Sequence, residues 1–329
     1  MADRFSNPSG NAGNWDTTAT WATSDGGSTG ASIPVDGDRA IIVAGDTVTN
    51  NGNHHVGSVQ INSTGVLNGG GGSILYLDDD GNATIFQNDG SVTGTPRLHF
   101  TSTTSRNAKF GSGTFGIISV EFSSAATLTM TSALTSSNSL GIGGGATLDT
   151  SGSNYAITTT GDATVTGTLT GNASAISMGS LTIADGGEYS ATSGTTTITG
   201  KNGVGYALQN SGTFTHNSGT VQTDHADPSA LFGSGGCYNW IVNSATTIHD
   251  GNLTVYNNLT INASKLLKPD NNSRVFTVHG LTTIAGTFGL AANTGTHKLN
   301  HVDVTGTLQI GTNQTMDLTG LRNISGTVT

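Results

Sequence analysis

The five residues Val-Thr-Gly-Thr-Leu occur twice in this chain, at Val165–Leu169 and at Val304–Leu308. Close variants stand at Val92–Pro96, Ile284–Phe288 and Ile324–Val328, and shorter Gly-Thr-apolar phrases end at Phe115, Phe214 and Val221. In the C-terminal third, aligning the branched residue before each turn gives Val242, Ile261, Ile284, Val304 and Ile324. The intervals are 19, 23, 20 and 20 residues. A recurring unit of this length cannot bury its apolar face alone. It becomes stable by stacking on copies of itself, which is the signature of a solenoid.

The motif reads as the corner of one coil. Val304 ends a short strand pointing inward and Leu308 starts the next one inward, with Thr305 and Gly306 between them. Glycine is expected there because it takes the positive φ that a sharp corner demands. The flanking stretches, such as ATVTGTLTG (163–171) and GSLTIADGG (179–187), alternate with period two. One strand face is therefore apolar and the other carries Thr, Ser and Asn. Further candidate strands are GSVQI (57–61), GIISVEF (116–122), ATLTMT (126–131) and GSLTI (179–183).

The expected fold is all-β: a single-stranded parallel β-helix with about 20 residues per rung. It should be right-handed, as parallel crossovers prefer. About 13 such rungs at the usual strand spacing would make a rod ~60 Å long.

Composition agrees. Glycine fills 49 of 329 positions, about twice the usual ~7 %. Charged residues make up only 10 % of the chain, whereas disorder ordinarily comes with high charge. A net charge of −10 and eleven scattered Lys and Arg argue against nucleic acid as a partner. No apolar run approaches the ~20 residues of a membrane helix, and the first residues, MADRFSNPSGNAGNWD, carry no secretory h-region. A lone cysteine, Cys237, excludes an internal disulfide framework.

Residues 1–55 read as an N-terminal cap and first rung, and 56–329 as the solenoid, with irregular loops near 223–237 and 264–274. Trp15 and Trp21 are two of only three tryptophans and precede the regular coils. They are expected to cover the open end, where strand edges and core would otherwise be exposed. The last residues, LRNISGTVT, stop in mid-rung without an aromatic or charged cap. That suggests a continuing chain or a covering subunit.

The order Trp, Pro-X-X-Gly-Asp (Pro34–Asp38), apolar alternation, Ala-Gly-Asp-Thr-Val (Ala44–Val48) resembles the opening of Gly/Thr/Ser-rich β-solenoid virion proteins of tailed bacteriophages, notably marine ones. GSLTIADGGEYSATSGTTTITG (179–200) and YNNLTIN (256–262) are similar to phrases of the same group. The resemblance implies a tail-fibre, spike or decoration protein, often trimeric, that contacts other virion proteins and host glycans. It transfers no catalytic residue.

Four groups could carry chemistry. Asp78, Asp80 and Asn82 in LDDDGN could offer oxygens to Ca²⁺ around Gly81, although a plain Asp-rich turn explains them equally well. Asp224, His225 and Asp227 in TDHADP are the most compact acid–base set, and Tyr238 could stack on a sugar beside them. His297 and His301 would share a metal on a helix, but on a strand they stand about 13 Å apart. His54 and His55 should point to opposite faces. Trp240 is expected in the core. Thr arrays such as TVTGTLT (164–170) would suit ice binding only at constant rung length, and these rungs vary.

The favoured expectation is a non-enzymatic structural and adhesive virion component, a homotrimer assembled in the host cytoplasm. The alternatives are a tailspike-like polysaccharide depolymerase or lyase, and a bacterial surface adhesin or filament subunit.

Overall fold

The computed structural model describes residues 2–70, 72–122, 125–225, 229–248, 252–269, 275–289, 296–311 and 315–329. The chain is all-β, with about 2 % helix, and its parallel coils stack into a β-solenoid of about 13 turns. It divides into two compact units, Met1–Gly161 with Val165–Thr170, and Asp162–Thr164 with Gly171–Thr329.

In the first unit three strand stacks wrap one core. One runs through Arg39–Ile42, Ser58–Ile61, Thr84–Asn88 and Arg106–Lys109. The second runs through Ala12–Asn14, Thr47–Asn50, Val66–Gly69 and Ser91–Gly94. The third runs through Asn53–Val56, Ile74–Leu77, Arg97–Phe100 and Ile118–Val120. The inward residues of the stacks are apolar and fully buried, with Phe86, Phe100, Phe110 and Phe115 meeting at ring-centroid distances of 5.6–6.2 Å. Edge-to-face packing at such distances adds to their area burial.

The N-terminal end is closed as the tryptophans suggest. Asp3–Ser6 already lies parallel beneath Arg39–Ile42, so coiling begins before Pro34. Trp21–Ala22 then pairs antiparallel with Asp3–Ser6 and occupies the edge that would otherwise be open. Trp15 and Trp21 are both buried, in edge contact at 5.1 Å, and Trp21 Nε1 donates to the Trp15 carbonyl at 2.8 Å.

The second unit repeats the scheme. The five branched residues aligned in the sequence are partners in register: Val242 with Ile261, Ile261 with Ile284, Ile284 with Val304, and Val304 with Ile324. One expected irregular stretch is partly regular, since Leu266–Pro269 is a strand paired with Ala245–Ile248. Pro269 ends that strand, where a missing N–H costs little.

Gly94, in the Val92–Pro96 variant, takes the positive φ expected of a corner, +70°, but glycine at four other corners has a different cause. Gly167, Gly286, Gly306 and Gly326 do not adopt positive φ. The corners are stacked so closely that a Cβ on any of them would overlap the carbonyl oxygen of the coil beneath. On Gly306 it would meet Gly286 O, with Ala285 O at 2.5 Å. On Gly286 it would meet Lys265 O and Asn262 O. The motif therefore repeats because every corner must leave room for the next one. Gly286→Ala is expected to destabilise by about 1–3 kcal/mol or more, the usual scale of overpacking against a rigid neighbour. Gly70→Ala, where a Cβ meets nothing within 4 Å, is the control. Urea denaturation of both variants checks this, and equal effects would refute the stacking explanation.

Buried asparagines supply a second corner device. Asn88 Nδ2 donates to the carbonyls of Phe110 and Ser112 at 2.7 and 2.8 Å, and Asn210 Nδ2 to that of Phe232 at 2.6 Å. Each amide thereby ties one coil to backbone carbonyls of the following coil.

Candidate functional site

Two groups of outward side chains stand out, one in each unit. In the first unit His55, Tyr76 and His99 occupy successive positions of the third stack. The His55 and Tyr76 rings lie 4.3 Å apart and 3° from parallel, and Tyr76 and His99 are 5.0 Å apart. Both imidazoles have a carboxylate beside them, but only His55 is hydrogen-bonded to it. His55 Nδ1 donates to Asp78 Oδ2 at 2.6 Å, and His99 Nε2 lies 2.9 Å from Glu121 Oε2. The ladder was hidden in the sequence because its rings are 21 and 23 residues apart.

The calcium candidates do not converge as three ligands: Asn82 bonds to Asp80, while Asp78 faces elsewhere. Asp78 faces His55 and Thr101. Asp80 is 2 % exposed and turns inward, accepting from Ser58 Oγ and from the Asn82 backbone and amide. Between them Asp79 points a third way, with φ +95°, and receives Arg106 bidentately at 2.9 and 2.8 Å. Ser102, Thr104 and the Gly81 N–H complete its shell at 2.8–2.9 Å. Burial pushes the Asp79 carboxyl up, but the hydrogen bonds from Gly81, Arg106, Ser102 and Thr104 outweigh it and hold the group below the usual carboxylate range. Among the described residues no group of three His, Cys, Asp or Glu side chains could hold a metal ion. The turn is an anchor for the coils around it: Asp79 reaches 27 residues ahead to Arg106.

The sugar-contact candidates are likewise divided. Asp224 is held by Gln222 Nε2 and by Asn243 Nδ2, each at 2.9 Å, and Asn262 continues the column at 3.2 Å from Asn243. Tyr238 stands at the other end of that stack. Asn239 pairs with Thr220 and Val242 with Thr223, so about 16 Å of strand separates Tyr238 from Asp224. His225 follows Asp224 at the strand end, and Asp227 lies outside the described residues. No acid–base set is thereby formed with Tyr238.

Tyr238 belongs instead to a corner column of rings. His216 lies 5.3 Å from Tyr238 and 5.1 Å from Tyr256, and Tyr256 stacks on His279 at 6.1 Å and 22°. Trp240, as expected, is fully buried, packed edge-on to Phe232 at 5.1 Å.

The remaining histidines sort by face. His54 turns inward and stacks on Trp15 at 5.5 Å, while His55 points outward. Burial lowers the His54 pKa, and Asp16 opposes that shift. His297 is 2 % exposed with neither ring nitrogen hydrogen-bonded, and burial pushes its pKa down. His301 sits at a turn with φ +48°. His297 is buried whereas His301 is exposed, so the two rings face different surroundings.

Among the described residues no helix is long and apolar enough to cross a membrane. By its fold the protein is a parallel β-solenoid with hydrogen-bonded polar ladders and two outward columns of aromatic and imidazole rings. No protein-family model, curated protein or solved structure matches the chain.

Proposed function

We propose that the protein is a non-enzymatic structural and adhesive component of a tailed-bacteriophage particle, a tail fibre, spike or capsid decoration. In this reading it works as a homotrimer, joined to other virion proteins, and presents a stiff β-solenoid to glycans of the host surface. It is assembled in the host cytoplasm and resides in the virion. The phage assignment rests on the resemblance of the Trp15–Val48 opening and of the later Gly/Thr-rich phrases.

One observation carries the mechanical part: several charged outward side chains tie coils together. Arg106 holds Asp79, Lys109 holds Asp89, His99 meets Glu121, and Asp224 is bound by Asn243. A depolymerase would instead hold opposed carboxylates free at a groove. Asp224 lacks that freedom.

The test is the mass of the purified chain in solution, by light scattering on a sizing column. Three chains per particle is the expected result. A monomer at all concentrations overturns the trimeric reading, and open-ended fibres would replace it with a head-to-tail filament subunit.

A further inference from the structure

We propose that an outward depression in the second unit, centred on Lys298 and Asp317, is a binding subsite for one neutral hexose unit of a glycan. The proposal rests on the adhesive reading above and gives it a place and a chemistry.

Two adjacent outward columns form the depression. In one, Thr277, Lys298 and Asp317 follow each other in register on successive coils. In the other, His279, Asn300 and Thr319 stand two residues further along the same coils. The space between them is about 240 Å³, with Val278 and Leu299 at its floor. That is less than the ~300–1,000 Å³ of pockets that enclose drug-sized ligands. It suits a single sugar ring with the rest of the chain in solvent.

The groups around it differ from the paired acids of the first unit. In the first unit Asp78, Asp79, Asp80, Asp89 and Glu121 all have donors. Lys298 and Asp317 are both exposed, face each other across one strand spacing, and among the described residues make no ion pair within 4.0 Å. Here an ammonium with three donors and an acceptor-only carboxylate stand side by side, the complement of a vicinal diol.

Asn300 is held in place: its Nδ2 donates to the His279 carbonyl at 2.8 Å, and Thr319 Oγ1 donates to its Oδ1 at 2.6 Å. The ring column ends at this point. Tyr256 covers one face of His279, and the position above His279 is Asn300, which is not aromatic. His279 is exposed and lines the rim of the depression.

Charge selects against acidic sugars. Lys298 and Asp317 offset each other locally, but the chain carries a net −10, so a uronate or sialate would meet like charge at a distance.

The intact chain is titrated calorimetrically with maltohexaose, with the β-1,4-linked N-acetylglucosamine hexamer, and with hexagalacturonate as the acidic probe. Binding of at least one neutral hexamer is expected, at least tenfold tighter than hexagalacturonate. In Asp317→Ala and in Lys298→Met that affinity should fall at least tenfold while the melting temperature stays within a degree or two. Both residues are exposed, so the variants should fold. Failure of both neutral hexamers to bind, or preference for hexagalacturonate, overturns the proposal. A parallel capture assay on immobilised total bacterial surface polysaccharide separates the two levels. Capture undiminished in both variants sinks this site and leaves adhesion standing, whereas absence of capture by the unaltered chain sinks both.

Discussion

Trp240→Ala is expected to cost about 3–5 kcal/mol, the scale of removing a large aromatic from a packed core. Trp240 is fully buried between Val221 below and Leu259 above in the same stack. It also closes edge-on against Phe232, which packs in turn on Phe214 at 6.2 Å. Alanine would leave a cavity that neither coil can fill, because strand spacing is set by backbone hydrogen bonds and cannot shrink. The indole Nε1 has no hydrogen-bond partner, so no lost bond is included in this figure. Trp240→Phe, which keeps most of the apolar volume and removes the unpaired donor, should therefore recover the greater part.

In a solenoid each coil stabilises only its neighbours, so the damage should be local. Amide exchange should accelerate first in Thr220–Thr223, Asn239–Val242 and Leu259–Ile261 and fade along the coils. Exchange by mass spectrometry checks this. A change below about 1 kcal/mol at these strands, or equal acceleration throughout the unit, would sink the prediction.

What the sequence shows of this fold is its inward half. Val242, Ile261, Ile284, Val304 and Ile324 could be aligned by eye because inward positions admit few residue types, and the register follows that alignment pair by pair. The outward half is far less legible. His55, Tyr76 and His99 meet only because two coils of unequal length bring them into one column. Nothing local to any of the three announces a partner more than 20 residues away. Asp78, Asp80 and Asn82 look like a cluster because they are adjacent in the chain. Around the turn Asp78 and Asp80 point in different directions, and Asn82 serves as a donor to Asp80. Tyr238 and Asp224 show the same effect along a strand. Gly167, Gly286, Gly306 and Gly326 were found for the wrong reason: a backbone clash between coils is a property of stacking, which one repeat read alone does not display. Lys298 and Asp317 were missed because 19 residues separate them, and only the register places them side by side.

The acidic turn provides the second large effect. Asp79→Asn should destabilise the first unit by roughly 2 kcal/mol. That lies between the ~0–1 kcal/mol of an exposed ion pair and the ~3–5 kcal/mol of breaking a fully buried one, since the Asp79 and Arg106 side chains keep 15 % and 16 % exposure. Asparagine tolerates the left-handed backbone that Asp79 adopts, so the variant isolates the charge from the turn. The Arg106 guanidinium would remain, partly desolvated and facing an amide.

The pH dependence has a definite sign. The Asp79 carboxyl titrates lower in the folded chain than in the unfolded one. Below the unfolded value near ~4 the unfolded state binds the proton more readily, so the stabilisation from Asp79 is fully present above that pH and is lost as the pH falls through the folded value. The stability difference between the unaltered chain and Asp79→Asn should therefore be constant from neutral pH down to about 5 and should shrink steadily on further acidification. Urea denaturation from pH 7 to pH 2.5, followed by exchange at Arg106–Lys109, measures it. A gap that widens in acid would show that the Asp79 charge opposes the fold, and that the bidentate Arg106 contact is not what anchors this turn.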